Sequence, residues 1–173
     1  RQADGNSRVY FDPYRSNACP EPPYALGGEG VGVVDACGDG FLARRLRGRR
    51  VAVASGPPNG TWQEYTVVDA KRAVAMPDRI ADEQAAMFFV NPITTYVMIR
   101  EVLKVRRGGW VLITAAGSAL GKSVVRMGRR DGFRTICVVR SSANTASLSA
   151  LGADAVIETD HQDLVGEVAR ITG

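Results

Sequence analysis

The stretch LITAAGSALGKSVVRMGRRDGFRTICVVRSS runs from Leu112 to Ser142 and decides the fold. An apolar run gives way to small residues, then to a helical period, then to a second apolar run that ends in Arg140. The neighbouring sequence continues this order. GWVLITAA reads as a strand, ALGKSVVRMGRRDG as a helix, FRTICVVR as a strand, NTASLSALG as a helix, DAVIE as a strand and DLVGEVARITG as a helix. Alternation of this kind implies a parallel, right-handed wound sheet. Three strands are present, whereas a complete doubly wound nucleotide fold uses about six. The chain therefore reads as the first half of such a sheet, cut at both ends.

Upstream the character changes. Up to about Asp78, short apolar runs are broken by Gly and Pro. GVGVVDAC, RRVAVASG and WQEYTVVD read as strands, with PPNG as a turn. DEQAAMFFV opens on acidic residues like a helix start; Pro92 is expected to interrupt it before TTYVMIREVLKV resumes. The expected organisation is α/β, with a β-rich part over 1–90 and a wound part over 91–173.

The 173 residues carry 45% apolar and 23% charged side chains, the balance of a globular protein. No apolar run approaches the roughly 20 residues of a membrane helix. The net charge of +4 comes from 22 basic and 18 acidic residues. RRLRGRR and RMGRRDGFR are the densest basic clusters, read here as a surface turn and an outer helix face. No aromatics interleave with them and no binding motif is present, which sets nucleic acid aside. Cys19, Cys37 and Cys137 are odd in number and lack metal-ligand spacing, so the expectation is no metal and a reducing compartment.

Gly117, Ser118, Ala119, Leu120 and Gly121 follow the strand VLIT and open a helix. A pyrophosphate must approach the backbone N–H groups at such a helix start, and only small residues allow that approach. Gly121 lets the helix pack closely on the strand. The pattern is not GxGxxG; its position carries the nucleotide reading. Arg140 ends the second strand, about 20 residues on, where an acidic residue would hold the ribose hydroxyl of NAD. An arginine there suits a 2′-phosphate in fork geometry, with Ser141 as a further donor, so the cofactor expected is NADPH.

The segment GTWQEYTVVDAKRAVAMPDRIADEQAAMFFVNPITTYVMI, followed by AAGSALG and FRTICVVR, resembles the medium-chain dehydrogenase/reductase superfamily. Within it the likeness is to the zinc-free quinone oxidoreductases and the mitochondrial-type 2-enoyl thioester reductases. The resemblance implies a partial GroES-like catalytic domain over 1–90 and the N-terminal part of a Rossmann domain over 91–173. It implies hydride transfer from NADPH to an activated double bond, with a quinone as alternative acceptor. A nucleotide-binding module without turnover is a further alternative. In LGGEGVGVV, Gly28 stands where zinc alcohol dehydrogenases carry histidine, so the zinc-free branch is implied.

The resemblance also implies site residues. PEPPYALGGEG matches a stretch that follows an active-site tyrosine, and Tyr14 is the candidate to hydrogen-bond a thioester carbonyl. NPITTY matches the segment that meets the nicotinamide, which brings in Asn91 and Thr94. Thr94 also reads as a helix N-cap. Trp62 would lie near the cleft, though a lone tryptophan beside a strand reads first as core. His161 is expected on the surface or at a cap. The partners expected are a small enoyl thioester or quinone, with neither membrane nor nucleic acid. The chain is expected in a homo-oligomer or a longer protein, in the cytoplasm or, in a eukaryote, the mitochondrial matrix.

Overall fold

The computed structural model describes residues 23–56 and 58–173. They form two compact units that meet in sequence between Val90 and Asn91. The first holds an antiparallel sheet of β1 (Glu29–Val33), β2 (Arg50–Ala54) and β3 (Ala73–Ala75), in that spatial order. β2 is the central strand, and its alternation sorts two cores. Val51 and Val53 face one side with Leu46, while Ala52 faces the other with Met76 and Ala85. This is the period of two that a strand imposes on its side chains.

Two short helices, α1 (Phe41–Leu46) and α2 (Asp82–Ala85), flank this sheet. Arg50 ties the second of them down. Its Nε donates to Asp82 Oδ1 at 2.7 Å and its Nη2 to the Ile80 carbonyl at 2.6 Å. Three expectations need correction here. WQEYTVVD is not a strand; the third strand is the short Ala73–Ala75. The basic cluster at Arg44 begins inside α1 rather than in a turn. Pro92 does not interrupt a helix. It sits in the first turn of α3 (Val90–Tyr96), where a missing N–H is tolerated. A wider π-type turn, Val97–Val102, continues α3.

The second unit is a parallel sheet in the order β4 (Trp110–Ile113), β5 (Arg134–Val139), β6 (Ala155–Glu158). α4 (Ala119–Asp131) and α5 (Thr145–Leu151) are the crossovers, and α6 (Leu164–Thr172) follows β6. β5 is central and buried from Thr135 to Val139. Ile99, Val111, Ile113, Val125, Cys137 and Leu148 belong to one continuous core. The architecture is the expected α/β one: a partial GroES-like β unit, then the first half of a Rossmann-type sheet.

Candidate functional site

The turn between β4 and α4 is built by clashes avoided. A Cβ placed on Gly121 would lie 2.5 Å from the Ala116 carbonyl oxygen and 2.7 Å from its Cα. Any side chain there would push the helix from the strand. A Cβ on Gly117 would lie 2.8 Å from the side-chain amide of Asn144. Ala115 takes the left-handed conformation, with φ 49°, which costs a residue with a Cβ about 1–2 kcal/mol. Ala116 is fully buried, and its N–H reaches the Val138 carbonyl at 3.2 Å. The turn is thereby clamped to β5.

Ser118 caps α4: its Oγ accepts from Gly121 N at 3.1 Å, and its carbonyl accepts from Lys122 N at 3.0 Å. The Gly121 N–H is thus already used. Gly121 serves the turn by lacking a side chain. The N–H groups of Ala119 and Leu120 have no intrahelical carbonyl, and together with the helix dipole they suit an anion.

Arg140 lies one residue beyond β5 and is exposed, as is Ser141. β4 and β5 are parallel neighbours, with Ile113 in register with Cys137. The turn after one and the arginine after the other therefore share the carboxyl edge of the sheet. The Arg140 carbonyl accepts from Asp160 N at 3.1 Å, while its guanidinium has no carboxylate partner among the described residues. A phosphate-bearing ligand at this edge would meet N–H groups, a serine hydroxyl and the Arg140 guanidinium.

The other predicted residues sit on α3 or beyond it. Asn91 is half-buried; its carbonyl accepts from Thr95 Oγ1 at 2.8 Å, and its Nδ2 is buried without a hydrogen-bond partner among the described residues. Thr94 is exposed and lies inside the helix, so it is not the cap. The group that holds the start of α3 escaped the sequence reading. Glu29 Oε2 accepts from Val90 N at 2.8 Å and from Phe89 N at 3.1 Å. Only the glutamate's place in PEPPYALGGEG hinted at a task; its partners lie 60 and 61 residues away.

Tyr14 lies outside the described residues. Trp62 is 56% exposed, which corrects the core reading. His161 is exposed, with its N–H on the Glu158 carbonyl at 3.1 Å. Cys137 is fully buried, and desolvation, together with the nearby Asp154 charge, pushes its thiol up to about 11.

No family model matches the chain. A quinone oxidoreductase of Pseudomonas aeruginosa is 32% identical over 161 residues, which are 92% of this chain and 49% of that protein. A mitochondrial enoyl-[acyl-carrier-protein] reductase of Caenorhabditis elegans is 32% identical over 79% of this chain and 40% of its own length. The crystal structure of Escherichia coli quinone oxidoreductase complexed with NADPH superimposes with a TM-score of 0.78 at 28% identity, over 92% of this chain and 49% of that one. The chain spans about half the length, or less, of these relatives.

Proposed function

The chain belongs to the medium-chain dehydrogenase/reductase superfamily, on its zinc-free branch, and we propose that it serves NADPH-dependent reduction of an activated carbon–carbon double bond, with a 2-enoyl thioester as acceptor. The observation that carries this reading is the carboxyl edge of the parallel sheet. There the close turn at Gly117–Gly121 stands beside an arginine that has no carboxylate partner among the described residues. NADPH would supply the hydride; the protein supplies position and electrostatics.

In this reading the N–H groups of Ala119 and Leu120 receive the pyrophosphate, with Gly117, Ser118 and Gly121 shaping the turn. Arg140 and Ser141 receive the ribose 2′-phosphate. The buried Nδ2 of Asn91 and the exposed hydroxyl of Thr94 face the nicotinamide end. Tyr14 hydrogen-bonds the acceptor's carbonyl. Residues 1–90 are then part of the catalytic domain and 91–173 the N-terminal part of the cofactor domain. A cytoplasmic or mitochondrial-matrix location goes with this reading. The name of one relative supports a quinone as the second acceptor.

The test is fluorescence titration of the chain and of Arg140→Asp with NADPH and with NADH. Loss of a charge-assisted contact should weaken NADPH binding by about 1–3 kcal/mol and NADH binding by less. Equal losses would remove the 2′-phosphate assignment. NADPH oxidation with crotonyl thioester against a quinone then separates the two acceptors.

A further inference from the structure

Glu29 is a strand residue whose main chain is fixed from two directions. It pairs with Ala54 across the sheet, and its carbonyl accepts from Thr61 Oγ1 at 2.7 Å. Its carboxylate is therefore delivered from a rigid support. One oxygen, Oε2, takes both the Phe89 N–H and the Val90 N–H, at 3.1 and 2.8 Å. These are donors at the start of α3, where helix geometry provides no carbonyl. The first turn of α3 has no acidic residue of its own, and Pro92 within it brings no N–H. The cap therefore comes from a distant strand. Immediately after it stands Asn91, whose Nδ2 is buried and has no hydrogen-bond partner among the described residues, and Thr94 follows, exposed.

We propose that Glu29 is the positioning residue of the nicotinamide end of the site. Its carboxylate fixes the first turn of α3, and the helix carries that placement to the Asn91 amide and the Thr94 hydroxyl. This rests on the proposed assignment of Asn91 and Thr94 to the nicotinamide. It gives the glutamate of LGGEGVGVV a task. A glutamine at position 29 keeps a carbonyl oxygen that can accept both N–H groups; an alanine keeps none.

The experiment titrates the 173-residue chain, Glu29→Gln and Glu29→Ala with two probes. One is NADPH. The other is adenosine 2′,5′-bisphosphate, which carries the 2′-phosphate and no nicotinamide. Glu29→Ala is expected to bind NADPH about tenfold more weakly and to leave the bisphosphate within about twofold, the scale of one lost helix cap. Glu29→Gln is expected to recover most of the NADPH affinity. Equal losses for both probes would mean a general disturbance and overturn the inference, as would unchanged NADPH binding in Glu29→Ala. A Glu29→Gln variant as weak as Glu29→Ala would also overturn it. If the alanine variant fails to fold, Glu29→Asp, which draws the carboxylate back by one methylene, is read by the same difference between probes. A wild-type chain that binds neither probe would defeat the cofactor reading itself, and this inference with it.

Discussion

A Cβ on Gly121 would meet the Ala116 carbonyl oxygen at 2.5 Å and the Ala116 carbonyl carbon at 2.8 Å, backbone atoms that no rotamer change can move aside. At Gly117 the atoms in the way are the end of the Asn144 side chain, at 2.8 Å, and a side chain can turn. Both glycines are visible in AAGSALG, but only the contacts rank them. Helix propensity favours alanine over glycine by about 1 kcal/mol inside α4, and overpacking opposes it by about 1–3 kcal/mol. The clash should win at Gly121. Gly121→Val is therefore expected to lower the urea midpoint and abolish NADPH binding, while Gly117→Ala is expected to change either by much less. A Gly121→Val variant with normal stability and titration would place the phosphate site elsewhere. Tyr14 and the NADPH acceptor cannot be weighed this way, because their roles come from resemblance alone.

At the scale of elements, β5 begins two residues before β6 can pair with it. Ile136 is in register with Ala155, so Thr135 has no β6 residue opposite. Asp154 fills the gap. Its Oδ2 accepts from Thr135 N at 2.7 Å and from Thr135 Oγ1 at 3.3 Å. Thr135 is 1% exposed, so removing the carboxylate would leave a buried N–H and hydroxyl without their acceptor. Asp154→Ala should cost about 1–3 kcal/mol, read from urea unfolding, and Asp154→Asn less, because an acceptor remains. Equal values near zero would mean that water replaces the carboxylate. This element was legible: alternating helical and apolar periods gave β4 through α6 in order. The strand expected over WQEYTVVD was not borne out. Its Tyr65 and Val67 are 76% and 79% exposed, with no sheet partner, because alternation alone does not supply a neighbouring strand. The three-residue β3 carries too short a pattern to stand out. Glu29 was hidden for a different reason: its partners are near in space and far in sequence.

At the scale of the whole molecule, each unit has cores of its own, and Cys137 lies in the core of the second, beside Val125 and Leu148. Desolvation first, and the Asp154 charge second, together raise its thiol from 9.0 to about 11. The sign follows from linkage. A thiol whose folded value lies above its unfolded value is held neutral by the fold, so its contribution is complete below the unfolded value near 9 and is lost as pH rises towards about 11. Urea midpoints of the second unit should therefore fall between those pH values. A Cys137→Ala variant should lose that part of the slope, whatever its starting stability. Reactivity gives the same test from another side, since the thiolate is the form that alkylates. Iodoacetamide at pH about 8 should label the half-buried Cys37 while Cys137 stays protected, and urea should expose Cys137 in step with loss of the wound sheet. Rapid labelling of Cys137 in native buffer, or an alkaline slope unchanged by its substitution, would mean that the second core opens without unfolding.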